Sequence, residues 1–268
     1  MSLNKERLDI LVTSLGLFKT REAAKRAIMS GIVLVGDEPI DKAGTKVPID
    51  AKIRIKGGMM PYVSRGAYKL EKAVKVFKLD LTGKIVIDIG ASTGGFTDYA
   101  LQNGAVMVYA VDVGYNQLAW KLRQDERVLS MERRNFRYMT PTDLKHGVPK
   151  FACMDVSFIS IKLLLPILKK LLAEGGEIVA LIKPQFEAGM AAVGKKGIVR
   201  QATVHLTVIN EIVDFVRTLK LVPLGLTYSP IKGGTGNIEF LIHIGRGGED
   251  QLTALQIENV VKAAHINL

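Results

Sequence analysis

The stretch Ile85-Val86-Ile87-Asp88-Ile89-Gly90-Ala91-Ser92-Thr93-Gly94-Gly95-Phe96 decides the fold of this chain. Its apolar start predicts a buried strand, its glycines predict a tight turn, and the residues that follow can form a helix. Such a turn leaves backbone N–H groups pointing outward, which favours binding of a polar cofactor. The turn lacks the Gly-x-Gly start of a dinucleotide-binding loop and the Gly-Lys-Ser/Thr end of a phosphate-binding loop. A glycine turn that binds no ligand is the simpler alternative.

The pattern Asp-x-Gly-x-x-x-Gly-Gly, which begins at Asp88, resembles the S-adenosylmethionine loop of class I methyltransferases. The resemblance implies an α/β, Rossmann-like fold with S-adenosyl-L-methionine as the cofactor. It also implies a set of cofactor-binding residues in and beyond the loop, namely Asp88, Gly90, Ser92, Gly94, Gly95, Phe96, Asp112, Asn135 and Asp155.

Asp112 and Asn135 each come at the end of a predicted strand or just after one. Asp112 ends the second strand, about two dozen residues after the loop, where an acid can accept hydrogen bonds from both ribose hydroxyls of an adenosine-containing cofactor. A turn residue at the end of a strand is the alternative interpretation of Asp112. Asn135 can meet the adenine edge, although asparagine is common in loops.

The composition points to a polyanionic partner. The 268 residues include 37 Lys and Arg against 26 Asp and Glu, which gives a formal net charge of +11. Such an excess favours nucleic acid as the first candidate. The single cysteine, Cys153, excludes an internal disulfide and a cysteine-based zinc site. The four histidines are dispersed without ligand spacing, so we expect no structural metal.

The apolar residues from Leu8 to Phe18 are the one segment near the N-terminus that invites comparison with a secretory signal. Asp9 interrupts this run, Lys19 and Arg21 follow it, and no small-residue cleavage site is evident. No segment approaches the roughly 18 uncharged apolar residues of a membrane span. We therefore expect a cytoplasmic protein without stable membrane association.

Residues 4–57 are interpreted as a separate small domain. Apolar residues at helical spacing predict one helix from Leu8 that ends near Gly16, and Thr20 is a plausible N-cap for a second helix over Arg21–Ser30. Residues 32–35 and 53–55 then have the composition of short strands, with a turn over residues 36–39.

The order Arg-Leu-Asp, then Thr-Arg-x-x-Ala, then Ile-x-x-Gly-x-Val-x-Val-Gly resembles the S4-type RNA-binding domain of ribosomal proteins. Arg21 and Lys25 are four residues apart and share a helix face, where they can meet phosphates. A solvated basic face is the alternative. The predicted RNA-binding residues are Arg7, Lys19, Arg21, Lys25 and, after the linker, Arg65.

Residues 58–63 form the predicted linker, and residues 64–268 form the second domain. In this domain strands alternate with helices, which is typical of a parallel α/β sheet. Helices are expected at 161–173 and 205–219. The seven predicted strands cover residues 85–89, 106–111, 128–131, 151–155, 178–182, 221–227 and 239–244.

The segment Ser64-Arg65-Gly66-Ala67-Tyr68-Lys69-Leu70 resembles the start of the FtsJ-type ribose 2′-O-methyltransferases. That family carries a Lys-Asp-Lys-Glu tetrad. The resemblance implies that its counterparts here are Lys69, Asp155, Lys183 and Glu239. Each of them alone has a simpler interpretation as a charge near solvent, but all four occur in the expected order along one predicted sheet.

The chemistry fits these residue types. A ribose hydroxyl is a poor nucleophile until its proton is removed, and two lysines in one buried site are expected to depress each other's pKa. The resemblance implies that Lys183 is the base and that Lys69 lowers its pKa and holds the ribose. Asp155 and Glu239 then orient the two ammonium groups. No metal is needed.

An S4-type domain fused to an FtsJ-like domain is similar over the whole chain to the TlyA family, whose members are named haemolysins and ribosomal RNA methyltransferases. This resemblance implies methylation of a ribose, that of cytidine, in ribosomal RNA or ribosomal subunits. The departure from FtsJ proper is Asp155-Val156-Ser157-Phe158, where that family has Asp-Met-Ala-Pro. Two alternatives stay open, a membrane-active haemolysin and a non-catalytic RNA-binding protein with a methyltransferase fold.

Overall fold

A computed structural model of the protein describes residues 4–18, 20–56, 60–189 and 192–268. The chain divides between Pro61 and Tyr62 into a small N-terminal unit and a larger C-terminal unit. This boundary falls within the predicted linker, of which residues 58 and 59 lie outside the described residues. Each unit has its own hydrophobic core.

The small unit combines two short helices, α1 (Leu8–Ser14) and α2 (Arg21–Met29), with two small antiparallel sheets. The Thr20 hydroxyl accepts a hydrogen bond from the Ala23 N–H at 3.2 Å, so Thr20 is the N-cap of α2 as predicted. The two sheets pair β1 (Lys5–Arg7) with β4 (Lys46–Pro48), and place β2 (Val33–Val35) between β3 (Glu38–Pro39) and β5 (Ile53–Ile55).

Both predicted helices of the small unit are present, whereas its strands differ in part from the prediction. The sequence analysis does not predict β1 and β4, because three residues are too few for an alternation of apolar and polar side chains to be recognised. The turn predicted over residues 36–39 is tighter than expected, and β3 begins inside it with Glu38 paired to Val35. Leu8 of α1 and Ile28 of α2 are fully buried in one shared core.

The large unit alternates helices with strands. Its helices are α3 (Ala67–Phe77), α4 (Gly95–Gln102), α5 (Trp120–Arg123), α6 (Leu165–Leu171), α7 (Pro184–Glu187), α8 (Ala202–Thr218) and α9 (Ala254–Asn267). Its strands are β6 (Ile85–Ile89), β7 (Met107–Val111), β8 (Val128–Met131), β9 (Phe151–Met154), β10 (Glu177–Ile182), β11 (Val222–Tyr228) and β12 (Phe240–Gly245). All seven predicted strands are present, and their ends differ from the prediction by at most one residue.

The helices of the large unit agree less closely with the prediction. The helix predicted over residues 161–173 is a 3₁₀ turn at Ile161–Leu163 followed by α6, since Pro166 has no N–H to donate and is tolerated only in a first helical turn. The helix predicted over residues 205–219 begins three residues earlier, at Ala202. Helix α9 is absent from the prediction, although Thr253 and Gln256 form a capping box at its start.

The seven strands form one sheet in the order β8-β7-β6-β9-β10-β12-β11. The expectation of a parallel sheet is wrong for β12, which runs antiparallel to both β10 and β11. Within the described residues no helix lies between β11 and β12. A short connection joins antiparallel neighbours, whereas a parallel pair needs a crossover. The sheet is therefore mixed, with helices on both faces.

The carboxyl ends of three central strands lie side by side. Ile89 of β6 is paired in register with Val111 of β7 and with Met154 of β9. The residues that follow, Asp112 and Asp155, therefore leave the sheet at the same edge as the glycine turn. In an open α/β sheet, ligands bind at this carboxyl edge.

Candidate active site

The four residues of the predicted tetrad lie together at the carboxyl edge of the sheet. The Lys69 ammonium, in the first turn of α3, lies 3.0 Å from Asp155 Oδ2 and 2.8 Å from Glu239 Oε2. Lys183 Nζ lies 2.6 Å from Asp155 Oδ1 and donates a hydrogen bond to Ser157 Oγ at 3.0 Å. Asp155 thus bridges the two lysines, one through each carboxylate oxygen.

Three members of the tetrad stand just outside the strands, although Asp155 and Glu239 were expected within them. β9 ends at Met154, β10 ends at Ile182 and β12 begins at Phe240. Asp155, Lys183 and Glu239 are therefore the residues directly next to the ends of their strands. Their side chains are freed from the alternation of a strand, while the buried strands fix their backbone positions.

Burial and charge oppose each other in this cluster. Lys69 and Lys183 are only 7% and 8% exposed, and Glu239 is 2% exposed. Burial alone would lower the pKa of Lys69, but Asp155 and Glu239 outweigh it, so the pKa is raised above its ordinary value. Burial would likewise raise the pKa of Asp155, but the two lysines hold it below its ordinary value. The expected depression of the lysine pKa is therefore wrong for Lys69, because two carboxylates lie within 3.0 Å of its ammonium group.

The tetrad lines a cleft of about 400 Å³. Predicted cofactor residues that also line it are Asp88, Gly90, Ser92, Gly95, Phe96 and Asp155. A second cleft of about 810 Å³ is lined by Asp112 and Asn135. The two clefts share Gly90, Ser92, Asp155, Ser157, Phe158 and Phe186, so they meet where the glycine turn faces Asp155.

The glycine turn needs glycine at Gly90 and Gly94 for different reasons. Gly90 has a φ of +83°, and a Cβ there would lie 2.7 Å from the Asp155 carbonyl oxygen. Gly94 has a φ of +91°, and its Cβ would lie 2.3 Å from a methyl carbon of Leu122. Gly94 lines neither cleft. The neighbours of an added Cβ are leucine side chains, and the contact of Gly94 with the cofactor stays a prediction.

Asp88 is buried, and among the described residues only one of its two carboxylate oxygens accepts hydrogen bonds. Its Oδ2 accepts hydrogen bonds from the Thr97 N–H at 3.0 Å and the Thr97 hydroxyl at 2.7 Å. Its Oδ1 is buried and has no hydrogen-bond partner among the described residues. Burial raises the pKa of Asp88 to about 7. A ligand that brings a positively charged donor would satisfy this oxygen.

Asp112 and Asn135 line the larger cleft, and their side chains also accept hydrogen bonds that hold the local backbone. Asp112 accepts hydrogen bonds from the N–H groups of Ser92 and Gly114, each at 2.7 Å, and so ties the glycine turn to the loop after β7. The Asn135 side chain caps a 3₁₀ turn by accepting from the Arg137 N–H at 3.1 Å. Asn135 therefore has a capping role that its sequence context did not reveal.

Two predicted RNA-binding arginines share a buried carboxylate that the sequence analysis did not single out. Asp9 is fully buried, and it accepts from Arg7 Nε at 3.0 Å and from Arg21 Nε at 2.8 Å. The hydrogen bond from Arg7 contributes most to the lowering of the pKa of Asp9 to about 2. The arginine side chains remain 42% and 44% exposed. Both therefore have a structural role that leaves part of each guanidinium facing solvent.

The other predicted RNA-binding residues have varied surroundings. Lys25 is half-buried on α2, and Arg65 is exposed between two residues, Ser64 and Gly66, that line the smaller cleft. Lys19 lies outside the described residues.

Phe158 and Ser157 are residues at the site that the sequence analysis noted only as a departure from a family motif. Phe158 is 90% exposed, has a φ of +62° and lies 4.9 Å between ring centroids from Phe186. An exposed phenylalanine in the left-handed region is uncommon, and such backbone outliers cluster at functional sites. The signal available in the sequence was Phe158 itself, which stands where the FtsJ motif has proline.

The sheet order and the clefts at its carboxyl edge define a class I methyltransferase fold. A family model described as FtsJ-like methyltransferase matches residues 62–246, and an S4 domain model matches residues 6–53. The chain therefore belongs to the FtsJ-like methyltransferase family and is an enzyme of that class.

Relatives that span the whole chain define its place more closely. YqxC of Bacillus subtilis (strain 168), which carries an rRNA methyltransferase name, is 56% identical over 272 residues, covering 100% of this chain and 97% of YqxC. TlyA of Mycobacterium tuberculosis (strain ATCC 25618 / H37Rv), named a 16S/23S rRNA (cytidine-2′-O)-methyltransferase, is 35% identical over 261 residues, covering 97% of each chain. A solved structure from Streptococcus thermophilus that carries the name haemolysin has a TM-score of 0.79 and 51% identity, covering 99% of this chain and 98% of that chain. Within the FtsJ-like family, the chain is thus a TlyA-type protein.

Among the described residues, no helix combines the length and the apolar character that a membrane span needs. The described residues also contain no group of three or more metal-binding side chains arranged to hold an ion.

Proposed function

We propose that the protein methylates a ribose 2′-hydroxyl, that of cytidine, in ribosomal RNA, with S-adenosyl-L-methionine as the methyl donor. The observation that carries the proposal is the bridge of Lys69, Asp155 and Lys183 at the junction of two clefts. One cleft is large enough for a nucleoside cofactor and the other brings an acceptor to the lysines.

The residues of the larger cleft and of the glycine turn fit the cofactor. The unpartnered Asp88 Oδ1 suits a positively charged amino group, and Asp112 is a carboxylate at the strand end where an adenosine ribose is bound in related folds. Gly90 lines both clefts without a side chain, so a ligand can approach its backbone. When bound, S-adenosyl-L-methionine supplies a methyl group on a positively charged sulfur.

The two lysines have different roles in this mechanism. Lys69 has two carboxylate partners, which keep it an ammonium that orients Asp155 and binds the acceptor oxygen. Lys183 has one carboxylate partner and a neutral hydroxyl, and it is the residue that takes the proton of the 2′-hydroxyl as the oxygen is methylated. When both lysines are protonated, the cluster of two lysines and two acids is neutral as a whole, which keeps its burial tolerable. Lys183 acts as the base from its neutral form.

RNA binding is assigned to both units. In the small unit, Arg7, Arg21 and Lys25 offer cations at or near the surface, and Arg65 lies next to the acceptor cleft. Lys19 is included on the sequence pattern alone. The exposed Phe158 ring at the junction of the clefts is placed to stack on the nucleobase of the acceptor. Ribosomal RNA as the substrate also implies a cytoplasmic location.

Methyl transfer to ribosomal subunits tests the proposal. Purified protein would be incubated with labelled S-adenosyl-L-methionine and with small or large subunits that lack the modification, followed by nuclease digestion and identification of the nucleoside. The expected product is 2′-O-methylcytidine. Label on a base, or no label although calorimetry detects cofactor binding, would contradict the proposed reaction.

A further inference from the structure

Ser157 is a polar residue of the site without a role in the mechanism above. Its hydroxyl accepts a hydrogen bond from Lys183 Nζ at 3.0 Å. Within the part of the chain that the structure describes, no other hydrogen bond to the Ser157 hydroxyl is formed. The residue lines both clefts and is exposed. Alanine occupies this place in the FtsJ motif that the segment resembles, so the hydroxyl is a feature of this chain.

The tetrahedral geometry of a neutral amine means that the contact with Ser157 restricts the direction of the Lys183 lone pair. A neutral lysine has two N–H bonds and one lone pair, arranged tetrahedrally with the bond to Cε. Lys183 Nζ has two acceptors within reach in the described structure, Asp155 Oδ1 at 2.6 Å and Ser157 Oγ at 3.0 Å. If each acceptor takes one N–H, the lone pair has a single remaining direction.

We propose that Ser157 is a positioning residue that, with Asp155, aims the lone pair of Lys183 at the acceptor hydroxyl. The proposal rests on the proposed function. In the step it serves, the O2′–H proton moves to Lys183 Nζ, the O2′–CH₃ bond forms and the S–CH₃ bond of the sulfonium donor breaks. The products are a 2′-O-methyl ether, a neutral thioether and an ammonium on Lys183, so atoms and charge balance.

The ammonium formed in this step has acceptors already in place. Ser157 Oγ accepts one N–H and the charged Asp155 Oδ1 lies 2.6 Å from Nζ, so the new N–H can occupy the direction from which the proton arrived. Both acceptors are in place before the transfer, which is the advantage of a preorganised site. Because Ser157 is exposed, its own O–H can donate to water and keep its oxygen lone pairs turned towards Lys183.

Two substitutions at Ser157 separate the hydroxyl from the volume of the side chain. Ser157→Ala removes the acceptor, and Ser157→Thr keeps it while adding a methyl group at an exposed position. We expect kcat for methyl transfer to fall about tenfold in Ser157→Ala, with unchanged KM for RNA and unchanged cofactor affinity, because an orienting contact is lost. Ser157→Thr is expected to retain at least a third of the wild-type kcat. A Ser157→Ala variant within twofold of wild type, or a Ser157→Thr variant as slow as Ser157→Ala, would overturn the proposal.

A spectroscopic readout in the ligand-free protein does not depend on turnover. With ¹⁵N-labelled lysine, the Nζ resonance of Lys183 can be assigned by its loss in Lys183→Arg. We expect Ser157→Ala to shift this resonance and to leave that of Lys69 in place. An unmoved Lys183 resonance would show that the hydroxyl does not hold the amine.

These measurements keep the two proposals distinguishable. If wild-type protein fails to methylate ribose, the proposed function is wrong, and the Lys183 resonance still reports whether Ser157 holds the amine. If wild-type protein methylates ribose and Ser157→Ala does so equally well, only the role of Ser157 is wrong.

Discussion

Both units of the molecule contain a carboxylate that is shared by two basic side chains, and the two arrangements differ in what those side chains can do. In the large unit, Asp155 bridges Lys69 and Lys183. In the small unit, Asp9 bridges Arg7 and Arg21. Lysine can lose its proton when its surroundings change, whereas a guanidinium stays charged and forms planar, directed hydrogen bonds. The lysine bridge suits proton transfer, and the arginine bridge suits structure and phosphate binding.

Exposure separates the two bridges further. The side chains of Lys69 and Lys183 are each 9% exposed. Those of Arg7 and Arg21 are 42% and 44% exposed, although the Asp9 between them is fully buried. The large unit therefore encloses its cations beside the clefts. In the small unit, the buried Asp9 holds Arg7 and Arg21, and the exposed part of each guanidinium is available to a polyanion.

The largest expected effect comes from removing the negative charge of Asp155, which bridges Lys69 and Lys183. Asp155→Asn removes the charge that holds both ammonium groups but keeps a similar shape. We expect methyl transfer to fall by two orders of magnitude or more, roughly the contribution of positioned acid–base chemistry, as measured by single-turnover kinetics. Asp9→Asn is the matched control for the same chemical change in the other bridge. Equal loss in the two variants would remove the distinction between the bridges.

A third buried carboxylate, Asp88, has no basic partner and sharpens the comparison. Burial raises the pKa of Asp88 to about 7, so part of it is protonated at neutral pH. If the cofactor brings a positive donor to it, the ionised form binds best, and affinity should rise as pH increases from 6 to 8, by up to about tenfold per pH unit below the pKa. Calorimetry across this range should show the rise in wild type. A rise of the same size in Asp88→Asn would show that another group is responsible.

The arginine bridge should appear as acid sensitivity of the small unit. The pKa of Asp9 is lowered to about 2 from an ordinary value of 3.8. Because the folded-state pKa is the lower one, the stabilisation is complete above about pH 4 and is lost as pH falls through about 2. Asp9→Asn should destabilise this unit by about 1–3 kcal/mol at pH 7, the cost of removing one partner from buried hydrogen bonds. Thermal unfolding of the variant is expected to depend less on pH between 2 and 4 than that of wild type.

The smallest effect is expected from a single surface cation. Lys25→Glu should weaken RNA binding a few-fold at moderate salt and reduce the slope of log affinity against log salt by about one, as for the loss of one phosphate contact. Lys262→Glu on α9 makes the same change of charge at an exposed position of the other unit. Fluorescence anisotropy with a ribosomal RNA fragment would compare the two variants. Equal slopes would mean that Lys25 contributes only to the overall charge.

The sequence predicts the large unit well because most of its strands, namely β6, β7, β9, β10 and β12, are buried along nearly their whole length and are bounded by glycines and charges. The register of β6, β7 and β9 then brings the predicted carboxylates to one edge. The features that could not be predicted from the sequence depend on residues distant along the chain. The reversal of β12, the packing of Gly94 against Leu122, the capping bond of Asn135 and the pairing of Arg21 with Asp9 are each set by tertiary contacts.

The raised pKa of Lys69 shows the same limit at the site itself. From the sequence, two lysines and burial both argue for lower pKa values. The structure places two carboxylates within 3.0 Å of Lys69, and this outweighs burial. The distinction between an anchoring lysine and a proton-accepting lysine therefore needs the distances.

The most direct test of the account replaces Lys183 by arginine. The substitution keeps the positive charge and the reach to Asp155, but a guanidinium cannot accept the proton of the ribose hydroxyl. Cofactor and RNA affinities should stay within about threefold of wild type, while single-turnover methylation of ribosomal RNA should fall at least a hundredfold. A Lys183→Arg variant that methylates at close to the wild-type rate would contradict the account, since Lys183 would then only position the ribose.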